Sequence, residues 1–298
     1  MKGWFFRLYL IAQEGLRESG AMRARPLWKI CRWLYRQLRC DAVVSARVRG
    51  RRWWLDTRDA FFTQSMILTG THEEWEAPVF LGGLKPGMTV VDVGAHVGYY
   101  AVQAAQRVAP SGRVVAFEPD ATNRELLARN IKANGCPNVE VVAAAIGDRQ
   151  GAGRLSCDVL NRGGHHFVEL EGIPHLGVGT ECREVPLTTL DASLDALGVS
   201  AIDALKIDVE GAEYLVWQGM SRLLAGQCVK SVFIEIWPEA LPRFGATLKQ
   251  FIEQITGAGF RLHVIEEPSG RMRPADAALI RQRSLARGYA QVFLTRGN

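Results

Sequence analysis

Along most of the chain, short continuous apolar runs alternate with amphipathic stretches. The runs Thr89 to Val93, Arg113 to Phe117, Val139 to Ala144, Ala204 to Ile207, Val229 to Ile236, Phe260 to Ile265 and Tyr289 to Leu294 read as buried strands. Tyr99 to Val108, a stretch capped by Asp120 and ending near Asn134-Gly135, Ala212 to Leu224, and Thr247 to Thr256 carry helical spacing. This alternation predicts an α/β fold built on a Rossmann-like, doubly wound, mostly parallel sheet. No convincing helix accompanies the last strand. A strand reached without a crossover helix pairs antiparallel, so the last strand is expected to run against the others.

Before this rhythm begins the pattern is different. Trp4, Phe5, Leu8, Ile11 and Ala12 recur at helical spacing, as do Leu27, Ile30, Trp33, Leu34 and Leu38, while Arg25, Lys29, Arg32, Arg36 and Arg39 take the opposite face. Residues 43–56 alternate as a hairpin around Arg49-Gly50-Arg51, and helical stretches follow over Ala60 to Thr69 and Glu73 to Leu81. The expected organisation is a basic helical extension with a hairpin over 1–58 and a catalytic domain over 59–298. Residues 150–190 interrupt the strand–helix order with seven glycines and read as a binding loop or lid, in which His165-His166 either touch substrate or lie on the surface.

Charge sharpens the division. Residues 1–58 hold 14 Lys+Arg against 4 Asp+Glu, a net of +10, whereas the rest is net −5. An anionic partner for the extension follows, with membrane phospholipid, an anionic glycan and nucleic acid as candidates; residues 1–40 either lie on an anionic membrane surface or pack their apolar face on the main domain. Six scattered cysteines without a CxxC pair give no zinc cluster and suggest reduced thiols. The first apolar stretch is too short to span a bilayer, so the expected location is cytoplasmic, with peripheral contact at the inner face of the membrane as a variant.

The first strand ends in a glycine turn, Asp92-Val93-Gly94-Ala95-His96-Val97-Gly98. Such a turn lets a nucleoside cofactor approach the backbone, and Gly94, Ala95 and Gly98 are the expected contacts. The spacing is GxxxG, and Asp92 would repel a pyrophosphate but attract an ammonium and a sulfonium. S-adenosylmethionine is therefore favoured over NAD. Glu118 ends the second strand 20 residues after Gly98, where an acid accepts ribose hydroxyls, and Ala145 and Ile146 would flank the adenine.

Lys206, Asp208 and Glu210 at the end of the fourth strand, and Glu235 at the end of the fifth, should open onto the same crevice. Asp208 or Glu210 could serve as general base toward an acceptor hydroxyl, or Asp208 and Glu235 could hold Mg²⁺. His96 could reach the acceptor or act as a hydrogen-bonded spacer.

Together, VVDVGAHVGYY, AFEPD, LTTLDASLDAL, IDALKIDVEGAEYLVWQG and FIEIWP resemble the FkbM family of S-adenosylmethionine-dependent methyltransferases over roughly residues 60–295. The resemblance implies a class I methyltransferase fold and O-methylation, often of sugar or natural-product hydroxyls. It makes Asp92, Gly94 and Gly98 glycine-loop contacts, Glu118 the ribose contact, and Asp208, Glu210 and Glu235 acceptor-side groups. It also implies that Glu73 faces the cofactor. His96 and Trp237 stand where the family commonly has asparagine and often histidine. The expected activity is O-methylation of a glycan, glycolipid or related metabolite. The alternatives are an NAD-dependent oxidoreductase and a non-catalytic cofactor-binding module. Nucleic acid is disfavoured as a partner, because no element for gripping a flipped base is present and the core is acidic. Oligomeric state is open.

Overall fold

The computed structural model describes residues 2–157, 166–169, 181–267 and 269–296. In chain order the elements are α1 (Lys2–Glu18), α2 (Arg25–Leu38), β1 (Val43–Val48), β2 (Arg51–Asp56), α3 (Phe62–Leu68), α4 (Glu76–Gly82), β3 (Thr89–Val93), α5 (Tyr99–Val108), β4 (Arg113–Phe117), α6 (Ala121–Ala133), β5 (Val139–Val142), β6 (Ala145–Ile146), β7 (Gly151–Cys157), β8 (His166–Glu169), β9 (Glu181–Thr188), α7 (Leu190–Ala196), β10 (Ile202–Ile207), α8 (Glu213–Gln218), α9 (Ser221–Ala225), β11 (Val229–Ile236), α10 (Leu248–Gly257), β12 (Phe260–Glu266), β13 (Arg271–Pro274), α11 (Ala277–Ser284) and β14 (Ala290–Arg296).

The main sheet has the order β13-β12-β14-β11-β10-β3-β4-β5. Strands β5, β4, β3, β10 and β11 are parallel, and β14 inserts antiparallel between β11 and β12. This is the mixed α/β sheet of class I methyltransferases. Two apolar clusters sandwich it. One gathers Val90, Val114, Ala101 and Leu127 with residues of α1 to α4, and the other gathers Val91, Leu205, Val232 and Ile234 with α7 to α11. Caps mark helix starts as the sequence suggests. The Asp120 carboxylate accepts the Asn123 amide, Thr189 of the LTTLD run accepts the Ala192 amide, and Thr247 and Gln250 form a reciprocal capping box.

Three expectations need correction. A helix, α11, does precede the last strand; β14 is antiparallel even so, because α11 joins it to β13, which already runs against β12. The third strand stops at Val142, and Ala145–Ile146 leave the main sheet to pair with β9. Residues 150–190 are not simply a loop: β7 and β9 are long antiparallel partners in a four-stranded sheet ordered β6-β9-β7-β8. Alternation along Leu155, Val185 and Leu187, all buried, supplies its inner face, and the glycines masked that period in the sequence. His165 lies outside the described residues, and His166 belongs to β8.

The N-terminal helices also differ from expectation. α1 buries Phe6, Tyr9, Leu10 and Gln13, whereas Trp4 (62% exposed), Phe5, Leu8 and Ile11 (68%) face outward. The helix is apolar around most of its circumference, so its pattern did not reveal which face packs. The Gln13 amide donates to the Leu68 carbonyl, and the Tyr9 hydroxyl to the Cys31 carbonyl, tying α1 to α3 and α2. No helix of the described residues is long and apolar enough to cross a membrane.

Candidate active site

The C-terminal ends of β3 and β10 lie side by side, and from β3 the chain crosses to β4 on the other side. That topological switch point is where open α/β sheets bind ligands. Two backbone loops meet there. Gly94 has a φ of +84°, and a Cβ on it would stand 1.8 Å from the Asp208 carbonyl oxygen, so only glycine lets the β3 and β10 loops close on each other. Glu210 (φ +55°) and Gly211 (φ +102°) turn the second loop back.

The first of two adjoining cavities is lined by Gly94, His96, Glu118, Asn123, Ala144, Ala145, Ile146 and Leu155 together with Asp208, Val209, Glu210 and Ala212. Glu118, at 5% exposure, ties this cavity together. Its carboxylate accepts the His96 amide at 2.8 Å and the Asp120 amide at 2.9 Å. Burial raises its carboxyl to about 7, only partly offset by the Asp120 and His96 amides. Asp120 in turn pairs with Arg183 of β9 at 3.0 Å, so the second sheet is anchored to the cavity rim.

In the folded protein Glu118 therefore binds a proton more tightly than in the unfolded chain. Its stabilising share is complete below the ordinary Glu range and is lost as pH rises through about 7. Glu118→Gln is expected to flatten the fall in thermal stability between pH 5 and pH 8 by an amount on the order of 2 kcal/mol. Melting curves of both proteins across that range check this, and parallel pH profiles would count against it.

The second cavity is lined by Phe61, Phe62, His72, Asp92, Ala95, Tyr99, Tyr100 and Lys206, and it shares Gly94, His96, Asp208 and Glu210 with the first. Asp92 of β3 and Lys206 of β10 are register neighbours on one face of the sheet. Lys206, 3% exposed, pairs with Asp208 at 2.8 Å and lies 4.8 Å from the centre of the Tyr100 ring. Burial opposes its charge, but Asp208, Asp92 and Glu73 outweigh burial and raise its pKa. Asp92 is 1% exposed, and neither of its oxygens has a hydrogen-bond partner of normal geometry; the Ala101 amide lies only loosely toward it. Burial, opposed by Lys206 and reinforced by Asp208, raises Asp92 to about 6.

An acidic group stands beside Lys206. Glu73, Asp208 and Glu235 bring carboxylate oxygens within 4.8 Å of one another. Glu73 accepts the Tyr100 hydroxyl and, at 2.8 Å, the Gln291 amide, while Trp237 Nε1 donates to Glu235 at 2.6 Å. Burial and then the Asp208 charge hold both Glu210 and Glu235 well above the ordinary carboxyl range.

Most predicted residues thus converge. Ala145, Ile146 and Glu118 share the first cavity, and Ala95, Asp92 and Lys206 share the second. His96 faces both, with its ring edge-on to Phe62 at 4.9 Å. Two predicted residues stand apart from this group. Gly98 lines neither cavity; a Cβ there would meet Leu127 at 2.5 Å, so its need is close packing of α5 on α6. Glu73 faces the acidic group and not the cavity around Glu118. Glu213 was missed: its buried carboxylate accepts the Val209 amide at 3.1 Å and the Gly211 amide at 3.0 Å, which fixes the loop carrying Asp208 and Glu210. An acid in the first turn of α8 was the signal. Tyr100, Gln291 and Phe62 carried none, because only the fold brings them here.

The sheet order thus sets a glycine-turn cavity, with a buried acid at the next strand end, beside an adjoining polar chamber. The sequence model of the family described as the Methyltransferase FkbM domain matches residues 92–262, more than half of the chain, and the chain belongs to that family. The AMB antimetabolite synthetase AmbE of Pseudomonas aeruginosa is 31% identical over 195 residues, covering 55% of this chain; the chain spans 9% of that relative's length. Among solved structures, methyltransferase FkbM from Methylobacillus flagellatus KT is 14% identical, with 78% of this chain and 52% of that chain covered at a TM-score of 0.41. A Streptococcus mutans protein assigned as a methyltransferase, solved in complex with S-adenosylhomocysteine, is 8% identical, with 74% and 95% covered at a TM-score of 0.42.

Proposed function

We propose that this enzyme transfers a methyl group to a hydroxyl of a small molecule, glycan or glycolipid, with the cofactor in the Glu118 cavity and the acceptor in the chamber beside it. The observation that carries this reading is the shared wall. Gly94, His96, Asp208 and Glu210 belong to both cavities, so the groups between cofactor and acceptor are carboxylates able to take or share a hydroxyl proton.

The first cavity fits the nucleoside in shape and chemistry. Ala144, Ala145, Ile146 and Leu155 form an apolar slot for the base, and Glu118 accepts the ribose hydroxyls. S-adenosylmethionine, when bound, supplies a methyl group on a good leaving group. The protein's share is alignment and proton removal. Asp208 is the preferred base: it stands at the shared wall, fixed by Lys206 at 2.8 Å. Glu210 and Glu235, held protonated toward neutral pH by burial and by Asp208, can donate hydrogen bonds that orient the acceptor.

The acidic group supports a second reading. Glu73, Asp208 and Glu235 offer the hard oxygen donors that Mg²⁺ takes. Both oxygens of Glu73 already accept hydrogen bonds, whereas Asp208 and Glu235 have one oxygen each so engaged among the described residues. Asp208 and Glu235 would therefore be the principal ligands, and the ion would lower the pKa of a bound hydroxyl.

The outward apolar face of α1 and the excess of basic residues over 1–58 further support peripheral contact with an anionic membrane. Sedimentation with anionic vesicles but not with neutral ones is the expected behaviour.

Incubation with ¹³C-methyl-labelled S-adenosylmethionine and a panel of sugars, glycolipids and hydroxy acids tests the acceptor class. The expected product carries a methoxy carbon by NMR. Label found only on nitrogen, sulfur or carbon would exclude O-methylation.

A further inference from the structure

A groove between α2 and α3 runs into the acceptor chamber, and Phe61 and His72 line both. Its α2 wall carries Arg32, Tyr35 and Arg36, with Arg39 just beyond the helix end. The spacing of Arg32, Arg36 and Arg39 puts three guanidinium groups along one side of the helix. Like charges so placed repel one another, and among the described residues none of the three forms an ion pair with a carboxylate. Arg39 donates to the Thr57 carbonyl at 3.2 Å, and Arg32 stacks its guanidinium 5.1 Å from the centre of the Trp28 ring.

Two donors in this wall have no partner. The Tyr35 side chain is fully buried with its hydroxyl unbonded, and Arg32 Nε is likewise buried and unbonded. Buried donors left unsatisfied cost stability, and their retention beside a run of arginines points to a ligand that satisfies them. Arginine forks and a hydroxyl donor together match the oxygens of a phosphate group.

We propose that this groove is a phosphate subsite and that the methyl acceptor is a phosphorylated hydroxyl compound, its anion held by Arg32, Arg36 and Tyr35 while its reacting hydroxyl reaches Asp208. The subsite stands on the groove itself; its link to the acceptor rests on reading the adjoining chamber as the acceptor site. The phosphate could belong to a soluble metabolite or to a lipid headgroup. Trp33 and Ile30, exposed on α2, lie close enough in sequence to the arginines to make the second source worth a separate arm.

The test is calorimetric titration of the full chain with inorganic phosphate, for the wild type, Arg32→Gln/Arg36→Gln and Tyr35→Phe, with S-adenosylhomocysteine titrated in parallel. Saturable phosphate binding is expected, weakened about tenfold or more in the double variant and less in Tyr35→Phe, with cofactor affinity unchanged. Sedimentation with phosphatidylglycerol vesicles separates the sources. Binding that free phosphate displaces and the double variant loses indicates a lipid headgroup, and vesicle binding indifferent to both indicates a soluble acceptor. Absent phosphate binding in the wild type, or equal binding in wild type and double variant, overturns the subsite. Loss of S-adenosylhomocysteine binding in the wild type would strike the functional reading instead and would leave the phosphate result to stand alone.

Discussion

Asp208→Asn is expected to lower kcat by about 10²- to 10⁴-fold while leaving S-adenosylhomocysteine affinity within about threefold of wild type. The substitution keeps the side chain's size and its place at the wall shared by the two cavities, but removes the carboxylate that would accept the acceptor proton. Glu118, Ala145 and Ile146, which line the cavity proposed for the cofactor, are untouched. The neighbouring acids do not replace it: Glu210 and Glu235 are held above the ordinary carboxyl range by burial and by the Asp208 charge itself. Part of that hold relaxes in the variant, so some residual activity that rises with pH is the expected remnant. Single-turnover rates and a parallel titration read both quantities. Turnover near the wild-type rate would remove Asp208 from the chemistry.

Lys206→Met carries the largest expected loss of stability. Lys206 is the buried cation that faces Asp92, Asp208 and Glu73, and methionine fills a similar volume without charge. Breaking a buried pair leaves its partners uncompensated, at a cost of about 3–5 kcal/mol. For a chain of this size that is a fall in Tm on the order of 10 °C. The loss should depend on pH in a defined sense. Asp92, already raised to about 6, rises further without Lys206, so in the variant it holds its proton at pH 5.5 and needs no cation. Destabilisation is therefore expected to be larger at pH 7.5 than at pH 5.5. Thermal denaturation at both values measures it, and a small shift that is equal at both would mean that the lysine contributes packing alone.

Both predictions rest on residues visible in the sequence, and the reason is topological. Asp92, Glu118, Asp208 and Glu235 each end a strand whose apolar run is unmistakable, and strand ends of an open parallel sheet converge on one crevice. What strand ends do not encode is partnership. Nothing near Glu73 in the sequence points to Gln291, which reaches it because β14 is threaded beside β11. Gly98 illustrates a second gap: its turn reads as a ligand contact, and only the fold shows that a Cβ there would meet Leu127. The second sheet stayed hidden because glycines dilute the alternation of β7, and Leu155, one of its buried positions, walls the cavity around Glu118. The helices before residue 40 were legible as helices, but α1 offers apolar side chains on nearly every side, and only the packing of Phe6, Tyr9 and Leu10 shows which of them leaves Trp4 and Ile11 exposed.

The central claim is that the cavity around Glu118 holds the cofactor. Calorimetric titration of the wild type and Glu118→Ala with S-adenosylhomocysteine tests it most directly, with melting curves recorded to show that the variant folds. Loss of hydrogen bonds from two ribose hydroxyls to a buried carboxylate predicts affinity weaker by about 10- to 100-fold. Equal affinity in a folded variant would place the nucleoside elsewhere and would contradict the account of both cavities.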